Sequence, residues 1–147
     1  MRLFLLVCCA AVLVSCGDGA SYSDFNTRNV TLPNGQVIQA ESASNVLQRA
    51  RGLMFRTSLD PDRGMLFIHE KPGLYSYFMY QHEIPLDMIW IDTGHVIVDI
   101  VENAPPCHTQ ASQCPHYGGN TVANFVLELA AGMVRKYELK VGQRIEF

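Results

Sequence analysis

The sequence contains no apolar run of about 18 residues, the length a helix needs to cross a bilayer, which excludes a transmembrane helix. It has no basic stretch, so a nucleic-acid surface is not expected. Charge of either sign is sparse: 11 Lys and Arg stand against 14 Asp and Glu, for a net charge of −3. There is no C-x-x-C pair, no H-E-x-x-H and no G-x-S-x-G, and adjacent glycines occur only at Gly118-Gly119. Zinc-ribbon, zincin, nucleophile-elbow and phosphate-cradle chemistries therefore find no support. What is present is 147 residues, 48% of them apolar, enough for one domain with a core and too few for two. Mean hydropathy is +0.07, with the apolar excess concentrated at the N-terminus.

That N-terminus reads as an address. Met1-Arg2 is followed by an apolar run from Leu3 to Val14, one positive charge and then about a dozen apolar residues, as in a secretory signal peptide. The run ends Leu13-Val14-Ser15-Cys16, with an aliphatic residue three places before the cysteine and a small one just before it. This resembles the lipobox of bacterial lipoproteins. The resemblance implies a signal peptide over residues 1–15, acylation of Cys16 and anchoring to a membrane through lipid; the alternative is an ordinary secreted protein cleaved nearby. Gly17 follows Cys16 and the Asp stands one place later, at Asp18, which by the lipoprotein resemblance favours the outer membrane, facing the periplasm. Residues 16–29 read as a short flexible tether reaching roughly 20 Å, and residues 30–147 as the domain.

Five cysteines then resolve. Cys8 and Cys9 leave with the signal peptide, Cys16 carries lipid, and Cys107 and Cys114 remain as an even pair in an oxidising compartment. A disulfide between them pins a Pro-rich loop. The competing reading is a metal site, with Cys107, His108, Cys114 and His116 supplying two thiolates and two imidazoles. The disulfide is the reading adopted, with no metal and no cofactor expected.

The body reads mostly as short strands. Asn34-Gly35 between two short apolar pieces predicts a hairpin. Ser42 or Ser44 caps a helix running to Arg51, with Gly52 as its stop. Gly64–Ile68 and Leu74–Tyr80 read as two strands separated by a turn at Lys71-Pro72-Gly73. Ile84–Asp92 is apolar on both faces after Asp87, as in a central strand. His95–Glu102 and Thr121–Leu129 are further strands around a loop over 103–120; Ala130–Leu139 reads as a helix and Arg144–Phe147 as a last strand. The expected fold is mainly β, a compact β-sandwich or barrel-like domain with two short helices.

Four pieces stand in a familiar order: Arg51-Gly52-Leu53-Met54 with Arg56; Gly64-Met65-Leu66-Phe67; Phe78-Met79 followed by Ile84-Pro85-Leu86-Asp87; and Val126-Leu127-Glu128. Together they resemble the domain of unknown function family 192 over residues 30–147. The resemblance implies an exported or lipid-anchored, mainly β domain, and no biochemical activity comes with it. The family's Asn-Thr-like pair before Ile-Pro-Leu-Asp is replaced here by Gln81 and His82.

Charged groups embedded in apolar motifs are the candidate binding residues: Arg51, Arg56, His82 and Asp87, joined by Glu102. Asp87 shares a strand face with Ile89 and Ile91, which predicts its burial. A buried carboxylate needs hydrogen bonds or a cation, and Arg51 and Arg56 are its candidate partners. Asp87 then either ties the 81–85 loop to the sheet or serves a ligand. Tyr75, Tyr77, Phe78, Tyr80 and Trp90 form either core or a stacking platform.

These features suggest a lipid-anchored envelope protein, non-catalytic, that binds a ligand or partner such as an envelope glycan or protein. The alternative is a hydrolase acting on envelope glycan or peptide, with Asp87 or Glu102 as general acid or base. A third reading is a purely structural envelope protein.

Overall fold

A computed structural model describes residues 25–147. The expected signal peptide over 1–15, the expected lipidation site Cys16 and most of the expected tether lie outside the described residues. Residues 26–29, expected in the tether, belong to the first strand.

The chain runs β1 (Asn26–Thr31), β2 (Val37–Ala43), α1 (Val46–Arg51), β3 (Arg63–Phe78), β4 (Leu86–Ile91), β5 (Ile97–Ala104), β6 (His116–Ala130) and α2 (Met133–Lys136). The strands form one mainly antiparallel sheet in the order β1-β2-β3-β6-β4-β5. The Asn34-Gly35 turn joins β1 to β2, with Gly35 at φ 84 and its amide bonded to the Leu32 carbonyl. β2 and β3 are parallel. A parallel pair needs a long crossover, and α1 lies within it.

The helix cap is Asn45 rather than Ser42 or Ser44. The Asn45 side chain accepts from the Gln48 amide at 2.9 Å while Gln48 Oε1 accepts from the Asn45 amide at 3.2 Å. This reciprocal box requires a Gln or Glu three residues after the cap, and from Ser44 the spacing to Gln48 is four. Gly52 does end the helix, at φ 48.

Lys71-Pro72-Gly73 does not turn the chain. β3 passes through it as one strand of 16 residues, and its register against β6 jumps between Ile68 and Gly73. Proline cannot donate to a ladder and is tolerated where pairing is interrupted. β6 correspondingly starts at His116, inside the segment expected to be loop.

All six residues of β4 are buried, as its two apolar faces require. Ile89 and Ile91 join one core with Leu66, Leu127 and Leu129, and Met88 and Trp90 join a second with Met65, Phe67 and Val126. The C-terminal segment forms no full strand. It pairs instead with both sheet edges, Glu146 with Thr31 beside β2 and Arg144 with Val96 at the head of β5. The sheet therefore curls until its edges meet through this segment, the barrel-like form of the expected mainly β fold rather than a sandwich. Val134, Tyr137 and Leu139, within and after α2, belong to the first core, which also holds Ile145. The second core lies on the other face, under α1 and the disulfide loop, and there the Cys107–Cys114 disulfide is present. Both sulfurs are thus taken from the competing metal set.

Candidate functional site

The sheet face under α1 is incompletely covered. A cavity of about 420 Å³ opens between α1 and β3, within the range of small-molecule sites. α1 and the turn after it contribute Val46, Ala50 and Met54; β3 contributes Phe67, Tyr77 and Phe78. Gly52 lies here too, and a Cβ at that position would come within 3.2 Å of the Phe67 ring. The short cap of α1 and the glycine that ends it therefore seat the helix close to the sheet.

Glu128 of β6 also lines the cavity. It is 2% exposed, and its Oε2 is sealed from solvent with no hydrogen-bond partner among the described residues. Burial disfavours the ionised form, and the carboxyl pKa rises to about 8. Its neighbours across the sheet are Met65 and Met88, which offer no donor. Burial thus favours the uncharged carboxyl.

Above it, His69 Nε2 and the Tyr77 hydroxyl are hydrogen bonded at 3.0 Å, and the His69 ring stacks on Tyr75. Burial and the nearby Arg49 guanidinium push the His69 pKa down to about 4. Burial, with the Glu128 charge adding to it, raises the Tyr77 phenol well above its ordinary value. Tyr77 meets Phe67 and Trp90 edge to face, and the Trp90 indole N–H donates to the Tyr75 carbonyl at 2.7 Å. Arg49 is fixed by the Ser44 and Ile68 carbonyls, so α1 is strapped to β3 beside the cavity.

The profile of an uncharacterised protein family, DUF192 (Uncharacterized ACR), matches residues 29–147. The chain belongs to the DUF192 family. Two solved structures are similar to it. One, a protein of unknown function from Novosphingobium aromaticivorans, is 28% identical with a TM-score of 0.78, covering 86% of this chain and 89% of that one. The other, from Sinorhizobium meliloti and described as a candidate transcription regulator, is 32% identical with a TM-score of 0.74, covering 83% of this chain and 94% of that one. None of the curated proteins matches.

In this DUF192 protein the five residues singled out from sequence part company. Arg51 and His82 line the cavity. His82 is 4% exposed, its Nδ1 lies 3.1 Å from the Tyr80 carbonyl, and burial lowers its pKa. Arg56 instead forms a two-pronged ion pair with Glu41, both contacts at 2.7 Å, beside a separate hollow. Glu102 is on the surface, 3.2 Å from Arg135. Asp87 is buried as expected, yet its partners are not arginines. Its Oδ1 accepts from the Asn103 amide and its Oδ2 from the Val134 amide, each at 2.8 Å. It ties β5 and α2 to β4, not the 81–85 loop to the sheet.

Glu128, His69 and Arg49 were not among the sequence candidates. The signal for Glu128 was available: a single carboxylate in the apolar run Phe125–Ala130 must be buried on one face or the other.

Proposed function

We propose that this DUF192 domain is a lipid-anchored, non-catalytic binding domain of the bacterial envelope, facing the periplasm, with the cavity between α1 and β3 as its ligand site. The observation that carries the reading is the cavity itself: aromatic walls and a glutamate with one buried carboxyl oxygen that no group among the described residues satisfies. Native proteins pair nearly all buried polar atoms, and the residue that carries this unpaired oxygen, Glu128, is among those that line the cavity.

The lipobox supports the anchor, and the disulfide fits an oxidising compartment. The description of the Sinorhizobium relative would bring nucleic acid; the acidic balance of this chain and its lack of a basic run favour a ligand instead. The hydrolase alternative rested on Asp87 and Glu102. Neither lines the cavity, and both Asp87 oxygens are engaged by backbone amides.

Two measurements test the reading. Cys16→Ser should move the chain from the membrane fraction of a bacterial lysate to the soluble fraction; retention in the membrane counts against the anchor. Met54→Trp narrows the cavity and should reduce uptake of an apolar fluorescent dye with the melting temperature unchanged. Equal uptake by the variant would remove the cavity from the proposal.

A further inference from the structure

The polar groups around the cavity define what it accepts. Besides Glu128 they are Arg49 and Arg51 on α1, His69, Tyr75, Ser76 and Tyr77 on β3, and His82; the Ser76 hydroxyl lies 3.4 Å from His116 Nδ1. Two cations therefore sit on the helix side, and Glu128 is the one lining group able to carry negative charge near neutral pH. Tyr75 donates its hydroxyl to the Lys71 carbonyl, and the Tyr77 hydroxyl is engaged with His69. The orphaned group is the Glu128 carboxyl, whose Oε2 has no partner among the described residues.

A cationic ligand would approach Arg49 and Arg51 and would require Glu128 to ionise among methionines and aromatic rings. An anionic ligand would find the Arg49 guanidinium already engaged by the Ser44 and Ile68 carbonyls, and its charge would be buried against the aromatic wall. An uncharged carbonyl oxygen accepts the carboxylic O–H and leaves no buried charge. A flat body beside that oxygen packs against Phe67, Tyr77 and Phe78.

We propose that the cavity receives an uncharged molecule with a flat apolar body and a carbonyl-type acceptor, held at that acceptor by the Glu128 carboxyl. This rests on the binding reading above and names the ligand class of the same site. Burial supports it by holding Glu128 in its acid form up to about pH 8.

The test uses the full chain labelled with ¹³C at methionine methyls and follows the Met54 signal. Three probes of similar size are titrated: acetophenone, benzylammonium and benzoate. Acetophenone should bind with a dissociation constant on the order of millimolar, about fivefold or more tighter than either ion. Its affinity for the native chain should fall about threefold or more once pH passes well above 8, as Glu128 loses its proton. Glu128→Gln keeps an N–H donor at the same place, so it should retain acetophenone within about twofold and lose the pH dependence. Tighter binding of benzylammonium, with affinity rising with pH and lost in Glu128→Gln, overturns the ligand class while leaving the binding site standing. Tighter binding of benzoate, or pH-independent binding of acetophenone to the native chain, does the same. If no probe moves the Met54 signal, the binding reading itself fails.

Discussion

The Val134 amide donates to Asp87 Oδ2 at 2.8 Å across 47 residues of chain. Asp87 also accepts the amide of Asn103, where β5 carries an extra residue opposite it: Leu86 pairs with Ala104 but Met88 with Val101. The bulge leaves an amide without a ladder partner, and Asn103 is in the left-handed region at φ 53. One carboxylate thus closes a bulge and holds the first turn of α2. Asp87→Asn turns one acceptor oxygen into a donor facing a backbone N–H. We expect a loss of about 2–3 kcal/mol in urea unfolding, with dye uptake by the cavity unchanged in the folded protein. Reduced uptake at native stability would instead make Asp87 a ligand group.

How far that arrangement was legible shows what local sequence carries. Alternation with Ile89 and Ile91 revealed that Asp87 is buried, because strand parity is local. Its partners were not legible, since Asn103 and Val134 meet it only through strand order and the placement of α2. The all-apolar stretch after Asp87 marked β4 as central for the same local reason. Lys71-Pro72-Gly73 misled because its turn chemistry is strong locally, whereas pairing with a β6 that starts early carries the strand through. In the cavity, Arg51 and His82 are legible as polar groups embedded in apolar motifs. The apolar run around Glu128 marks it as buried, but nothing local tells which sheet face α1 leaves uncovered, so its place on the cavity wall is not legible.

Gly118 lies against the Trp90 indole at φ 68, and a Cβ there would stand 2.2 Å from the ring. Gly118→Ala therefore meets both a left-handed backbone cost of about 1–2 kcal/mol and a steric clash with a fully buried side chain. Trp90 cannot retreat without giving up its bond to the Tyr75 carbonyl. We expect a destabilisation of more than about 2 kcal/mol, read as a lowered denaturant midpoint, and a change in tryptophan fluorescence. A neutral Gly118→Ala would show that the ring has room to move.

The disulfide holds a segment with few other ties. The Cys107 amide donates to the Met79 carbonyl and the Gln81 amide to the Cys107 carbonyl, so the loop anchors the chain that leads to His82. The bridge spans a sequence separation of 7, for which chain entropy gives about 2–3 kcal/mol. Replacing both cysteines by serine should cost that amount in equilibrium unfolding and raise amide exchange over residues 79–82. An unchanged midpoint would mean that the backbone bonds to Met79 and Gln81 suffice.

Glu128 also sets how stability follows pH. Its pKa is raised from the ordinary 4.5 to about 8, so between these values the folded chain holds a proton that the unfolded chain has released. Stability attributable to Glu128 therefore falls as pH rises through that window and levels off above it. His69 acts oppositely, because its pKa is lowered from 6.5 to about 4, and in that window the unfolded chain binds the extra proton. His82, also lowered, adds to the rise with pH. Below about pH 6.5 His69 offsets Glu128 and His82 adds to the rise, so a net increase of stability with pH is expected there. Above it the histidines are neutral in both states, and Glu128 alone remains. Stability should drop by about 1–2 kcal/mol from pH 6.5 to 8, and Glu128→Gln should abolish that drop while keeping the fold. A native chain whose stability stays level over this interval would show that Glu128 is already ionised when buried, which requires a cation beside it.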